Sequence, residues 1–119
     1  MSTIKDFEEL DIWKNARQLV TKVYSDFREL KDYAFRDQVC RAAVSIMNNV
    51  AEGFGRGGNK EFIQFLKVSR GSASELKNMY YIALDLGYSN DETRISRQTD
   101  IQGIINGISK LIKYLKSTK

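Results

Sequence analysis

The chain has 119 residues, of which 42% are hydrophobic and 29% charged, and its net charge is +4. This length predicts one domain, residues 1–119, with enough core to fold without a metal or a disulfide. Cys40 is the single cysteine and there is no histidine, which excludes an internal disulfide, Cys/His zinc sites and histidine-based catalysis. No apolar run approaches the ~20 residues that span a bilayer, and the acidic N-terminus is unlike a signal peptide. We therefore expect a cytoplasmic protein without membrane contact.

Apolar residues at steps of three and four predict a first helix from Glu8 to Leu30. Acidic residues cluster at its start, where the helix dipole favours them. The predicted apolar stripe consists of Ile12, Trp13, Ala16, Leu19, Val20, Val23, Tyr24 and Phe27.

The second predicted helix, Phe35 to Gly53, is apolar around most of its circumference. A first face carries Phe35, Val39, Ala42, Ala43, Ile46 and Val50, and a second carries Cys40, Val44, Met47, Ala51 and Phe54. A four-helix monomer buries one side of each helix, so the second face predicts contact with another copy of the chain. On this face Cys40 is expected to act as a small hydrophobe.

Four glycines follow this helix: Gly53, Gly55, Gly57 and Gly58. We expect them to end the helix and to supply positive φ for a tight turn. A phosphate-binding loop is the alternative, but the P-loop spacing is absent and no strand precedes the glycines.

A third helix is predicted from an Asn59 cap to Leu86, with Gly71, Ser72 and Ala73 allowing close approach of a neighbouring helix. If helices 2 and 3 form a hairpin, Arg41 can pair with Glu75. Arg56 can pair with Glu52 one turn away. Four basic residues share one arc of helix 3 and form either a solvated face or a phosphate-binding stripe. They are Lys60, Lys67, Arg70 and Lys77.

Gly87 is predicted to end helix 3, and Ser89 to Glu92 reads as a capping box for a fourth helix. From Arg94 onward the sequence has six basic residues and one acidic residue, Asp100. Two of these basic residues, Lys110 and Lys113, are further candidates for phosphate contact. With no strand signal, the pattern predicts an all-α, antiparallel up-down-up-down four-helix bundle.

The centre of the chain carries a recognisable motif. Its segments are Gln38-x-x-Arg41-Ala42-Ala43-x-Ser45-Ile46, Asn49-x-Ala51-Glu52-Gly53-x-Gly55-Arg56, Glu61-Phe62-x-x-Phe65-Leu66 and Gly71-Ser72-x-x-Glu75-Leu76. These segments resemble the signature of the four-helix-bundle proteins encoded in 23S ribosomal RNA intervening sequences. That family is similar in fold to the accessory protein of diversity-generating retroelements, which forms homopentamers and binds nucleic acid and a reverse transcriptase.

The resemblance implies a homo-oligomer, a pentamer, with RNA or other nucleic acid as a partner. We therefore predict a non-enzymatic oligomer whose six basic candidates contact phosphates; the alternative is a protein-interaction scaffold without nucleic-acid affinity. The motif residues Gln38, Arg41, Ser45, Asn49, Glu52, Gly53, Gly55, Arg56, Gly71 and Glu75 are expected to be structural, satisfying one another and the helix ends. Glu52 and Glu75 lack a metal or nucleophile beside them, so we expect no catalysis, cofactor or metal.

Overall fold

Four antiparallel helices form an up-down-up-down bundle about 48 Å long and 21 by 19 Å across, as the all-α prediction required. The computed structural model describes residues 4–118. The helices are α1 (Asp11–Asp26), α2 (Tyr33–Gly55), α3 (Asn59–Asp85) and α4 (Asp91–Ser117). Each helix packs against its neighbours in sequence, and α1 closes the bundle against α4.

Helix α1 is shorter at both ends than the predicted span from Glu8 to Leu30. Phe7–Glu9 form a separate 3-10 turn, and Leu10 is extended, with φ −77° and ψ 128°. The Glu9 carboxylate accepts from the backbone N–H groups of Lys5 and Asp6, each at 3.0 Å, and these bonds lower its pKa. The Glu9 side chain thus satisfies the backbone donors that precede the turn, which stabilises the turn as an element separate from α1. At the other end, Phe27 leaves helical geometry, with ψ 12°.

The N-terminal caps of the other helices differ from those predicted. Asp32 caps α2 by accepting from Phe35 N at 3.2 Å, so this helix begins at Tyr33, before the predicted Phe35. Gly58 is the N-cap of α3, and Asn59 lies inside the helix, where its amide reaches α4. Asn90, one residue beyond the predicted Ser89, caps α4 by accepting from Thr93 N at 2.8 Å.

The four glycines at the end of α2 have only part of the role predicted for them. Gly53 and Gly55 lie within α2, and Gly57 alone of the four has a positive φ, 88°. Gly53 is buried, and a Cβ there would lie 2.5 Å from Phe65 Cβ, so its lack of a side chain lets α2 and α3 meet. Gly71, predicted to serve the same purpose, is exposed with nothing within 4 Å of a Cβ. Ala73 and Ser69 take the buried positions instead.

A polar cluster that the sequence did not reveal joins three helices at one end of the bundle. Asp26 at the end of α1 accepts from Arg97 of α4 through both carboxylate oxygens, at 2.7 and 2.9 Å. The buried Tyr80 of α3 donates its phenol to the same carboxylate at 2.6 Å. The hydrogen bond and charge of Asp26 raise the pKa of Arg97, while burial, followed by the bond to Asp26, raises the pKa of Tyr80. Arg97 and Tyr80 therefore keep the protons that they donate to Asp26 at neutral pH.

The same end is closed by an aromatic chain. Phe27 contacts both Tyr80 and Phe35, and Phe35 contacts Tyr88, with ring centroids 5.4–5.8 Å apart. Tyr88 follows Gly87, whose φ of 77° turns the chain as predicted, and donates its phenol to the Asp32 cap at 2.7 Å. The two interhelical loops at this end are thereby fastened together.

Across residues 4–118, none of the helices has the combination of length and apolar character needed to cross a bilayer.

The Tyr80 phenol should make the protein sensitive to alkaline pH. Tyr80→Phe should lower the free energy of unfolding by about 1.5–3 kcal/mol at pH 7, because a hydrogen bond to a charged group is lost. A folded-state pKa raised above the ordinary 10.0 contributes stability that is complete below pH 10 and is lost as pH rises further. The difference between wild type and Tyr80→Phe in urea unfolding should therefore shrink above pH 10. A difference that stayed constant from pH 7 to pH 11 would contradict this account.

Candidate nucleic-acid interface

Side-chain hydrogen bonds fix the register of α3 against α4 along a polar seam. Arg70 Nη1 donates to Ser109 Oγ at 3.0 Å, and Lys77 Nζ donates to Gln102 Oε1 at 2.7 Å. Toward the start of α3, Asn59 donates to the carbonyl of Leu115 at 3.3 Å. The start of α3 therefore lies level with the end of α4.

Five of the six predicted phosphate-binding residues follow this seam. Arg70 and Lys77 are half-buried at its centre, in contact with α4. Lys67 lies one turn before Arg70, and Lys113 one turn after Ser109, so in antiparallel helices the two are at the same height. Lys60, beside Asn59, extends the row. We call Lys60, Lys67, Arg70, Lys77 and Lys113 the basic seam. Lys110 is exposed on the adjoining face of α4.

The acidic residues in the same stretches of α3 and α4 are associated with other helices. Glu75 pairs with Arg41 of α2 at 3.5 Å, and Asp100 pairs with Lys22 of α1 at 3.1 Å. The carboxylate of Glu61 attracts Arg56, the residue that follows α2. The pKa of Arg56 is raised chiefly by its hydrogen bond to Glu52 and further by the charge of Glu61. Among the described residues, none of the six candidates forms an ion pair within 4.0 Å. Within residues 4–118 the positive charge of the seam is consequently not neutralised by an ion pair.

The family-motif residues mostly gather on the opposite side of α3, where it meets α2. The predicted Arg41–Glu75 pair is present, although the Arg41 side chain is 64% exposed. Below it, the hydroxyls of Ser45 and Ser72 share a hydrogen bond of 2.8 Å, and Asn49 Nδ2 donates to the Ser45 carbonyl at 2.8 Å. Buried Ser69 donates to the carbonyl of Ile46 at 2.7 Å, which brings α2 and α3 close together.

The predicted Arg56–Glu52 pair forms at the end of α2, at 2.8 Å. Its guanidinium also lies 5.0 Å from the ring centre of Phe65. The motif side chains were predicted to satisfy the end of α2. Instead, the backbone N–H groups of Arg56 and Gly57 bond to its last carbonyl groups. Of the remaining motif residues, Gln38, Gly55 and Gly71 are exposed.

The second apolar face of α2 borders a groove between α1 and α2 of about 650 Å³. Cys40 and Val44 of this face line it, together with the half-exposed Tyr24 and the arginines Arg28 and Arg41. Cys40 is buried, and burial raises the pKa of its thiol, so it is held protonated as an apolar group. Val44, Met47, Ala51 and Phe54 remain only partly covered.

Several residues at the basic seam were not foreseen from the sequence. Gln102, Asn106 and Ser109 were not singled out because polar residues on a charged helix give no individual signal. Tyr81 lies on the basic side of α3, one turn beyond Lys77, and was missed because a single aromatic residue there gives no individual signal; it is 49% exposed. Within residues 4–118, no cluster of three or more acidic or cysteine side chains has an arrangement that could hold a metal ion.

The fold and this surface define a four-helix-bundle protein with a continuous basic seam on one side. The family of 23S rRNA-intervening sequence proteins matches residues 8–112, and the chain belongs to that family.

Among solved structures, the bundle is similar to a protein of unknown function from the S23 ribosomal protein family of Bacteroides thetaiotaomicron. The two share 20% sequence identity with a TM-score of 0.80, over 86% of this chain and 98% of the other. At that identity the likeness shows the shared fold. No curated protein matches the sequence.

Arg41→Ala should change the free energy of unfolding of a single chain by less than about 1 kcal/mol, because exposed ion pairs contribute little. Urea denaturation of dilute protein measures this, with Ser69→Ala as the buried comparison, for which about 1 kcal/mol is expected. A larger loss for Arg41→Ala than for Ser69→Ala would show that the arginine supports more than the pair with Glu75.

Proposed function

We propose that this protein is a non-enzymatic homo-oligomer that binds RNA through the basic seam. The observation that carries the proposal is the separation of charge around the bundle: Glu75 and Asp100 pair with α2 and α1, and within residues 4–118 the five cations of the basic seam form no ion pair within 4.0 Å. Unpaired lysines along a helix are the groups that displace counterions from a phosphate backbone. The family name links such proteins to interruptions of 23S rRNA, which makes ribosomal RNA the first partner to test.

The oligomeric part of the proposal rests on the α1–α2 side of the bundle. Partly covered apolar residues of α2 continue there into a groove that also exposes Tyr24. Covering this face with another copy removes apolar surface from water, and a ring of copies also aligns their basic seams into one strong field. We propose a pentamer, as the family resemblance implies, located in the cytoplasm.

Catalysis has no support from the side chains that were candidates for it. Glu52 and Glu75 are each engaged with an arginine and lie on the α2–α3 side, more than twenty residues apart in sequence. We propose that their role is structural, as with the rest of the motif.

Reversing charge at the centre of the seam should weaken RNA binding independently of sequence. The double change Lys67→Glu and Lys113→Glu is expected to reduce affinity for a ribosomal RNA hairpin and to lower the salt slope by about two, because two phosphate contacts are removed. Fluorescence anisotropy at several salt concentrations measures both quantities.

Two lysines outside the seam provide the matched control. Lys14→Glu with Lys31→Glu makes the same change in net charge on α1 and on the α1–α2 loop, where both residues are exposed. Equal losses of affinity in both double variants would mean that net charge alone determines binding, and would remove the seam from the proposal.

Val44→Asp should disperse the oligomer, because it places a carboxylate on the partly covered face of α2. Light scattering after gel filtration gives the mass, and Val68→Asp on α3 is the control, since Val68 is already 54% exposed. A monomeric wild-type protein, or an unchanged mass for Val44→Asp, would contradict the assignment of this face.

A protein-interaction scaffold is the second candidate, and the α1–α2 groove favours it. Arginines flank an apolar floor there, an arrangement that also suits an acidic amphipathic helix of another protein. A wild-type protein that shows no affinity for RNA even at low salt would favour this reading over the first.

A further inference from the structure

At the end of the basic seam near the α3–α4 loop, the two helices leave an open groove of about 580 Å³. Lys77 is the one predicted phosphate-binding residue among those that line it. Its walls include Lys77 and Tyr81 of α3, and Arg94, Gln102 and Asn106 of α4. The groove thus continues the seam by one helical turn beyond Lys77. At that position α3 carries the aromatic ring of Tyr81 and not a further lysine or arginine.

Tyr81 is presented to solvent in a fixed position. Its side chain is half-exposed, and the guanidinium of Arg94 lies 5.3 Å from the ring centre. That guanidinium is itself held by Asp91 at 3.0 Å and by Gln98 at 2.9 Å. Arg94 keeps this placement although its buried Nε has no partner among the described residues. One face of the ring is therefore supported by a cation, which leaves the other available for stacking.

Amide side chains of α4 line the same groove as the ring. Lys77 donates to Gln102, whose Nε2 in turn donates to Asn106 Oδ1 at 2.9 Å. These two hydrogen bonds do not use the amide donors of Asn106 or two of the ammonium protons of Lys77. Amide donors and acceptors match the edges of unpaired bases, which duplex RNA keeps inside its helix.

We propose that this groove binds an unpaired base of single-stranded RNA stacked on Tyr81, with the phosphates continuing along the seam toward Lys67. Lys77 lies about 6 Å along the helix axis from Tyr81, roughly the length of one extended nucleotide, and Arg70 lies about 10 Å further. Exposed Asp85, one turn beyond Tyr81, would repel a phosphate, so the strand runs from Tyr81 toward Arg70 and not past the loop. This inference rests on the proposed RNA binding and specifies the kind of RNA.

The experiment compares a labelled uridine homopolymer with a blunt-ended RNA duplex, by fluorescence anisotropy. Tyr81→Ala should weaken binding of the homopolymer about tenfold, the loss of one base–aromatic stack, and leave binding of the duplex unaffected. Tyr81→Phe should retain wild-type affinity, and the salt slope should not change in either variant, because no phosphate contact is lost.

Tyr33 supplies a matched control. It is 59% exposed and also carries an arginine, Arg36, 4.8 Å from its ring centre, but it lies at the start of α2 away from the seam. Tyr33→Ala should bind the homopolymer as wild type does. A loss equal to that of Tyr81→Ala, or no loss in either variant, would overturn the inference.

A second measurement is independent of small changes in stability. A single 2-aminopurine placed in the homopolymer should lose fluorescence on stacking with wild type and Tyr81→Phe, and keep it with Tyr81→Ala. Equal quenching by all three proteins would also overturn the inference. RNA binding that is strong for the duplex and absent for the homopolymer would overturn the inference but keep the basic seam, whereas no binding of either RNA would remove the proposed function itself.

Discussion

The Asp26 carboxylate is the interaction on which the arrangement of the bundle depends. It ends α1 and holds Arg97 of α4 and Tyr80 of α3 at once, with its side chain 12% exposed. A bidentate arginine restricts both distance and direction, so the rotation of α4 about its own axis is fixed relative to α1. Once that rotation is set, Gln102 and Ser109 face α3 and Asp100 faces Lys22. The basic seam is thus a consequence of a contact on the other side of α4.

Charge segregation follows from the same geometry. Glu75 of α3 pairs with Arg41 of α2 and Asp100 of α4 pairs with Lys22 of α1, so the α3–α4 side retains an excess of positive charge. A net charge of +4 spread evenly over one chain would have little directional effect. The five cations of the basic seam instead lie along one side of the bundle, so the attraction for a polyanion is greatest on that side. Hydrogen bonds of Arg70 and Lys77 to neutral partners hold these cations in place without cancelling their charge.

The sequence predicted the features that depend on local periodicity. Apolar stripes define four helices, and the short turn between α2 and α3 fixes their register, so the Arg41–Glu75 and Arg56–Glu52 pairs could be foreseen. Positions that depend on contacts between distant segments could not. Asp26 and Arg97 are 71 residues apart, and nothing local marks either as a partner. Gly53 and Gly71 look alike in sequence; only the packed bundle shows that Phe65 approaches one of them. Helix α1 begins late because Glu9 satisfies the backbone before it, an effect that a hydrophobic stripe does not register.

The two sides of the molecule suit two different tasks. On the α1–α2 side, the incompletely covered face of α2 lies beside a groove with an apolar floor, and such surface is costly to leave in water. On the α3–α4 side the groove is lined by cations and amides together with Tyr81 and the exposed Ile95. Cations that are not ion-paired suit a reversible, salt-dependent contact on that side, whereas the incompletely covered face of α2 suits a permanent one. Because the two lie on different helix pairs, the proposed assembly through α2 would leave the basic seam open to the proposed RNA strand.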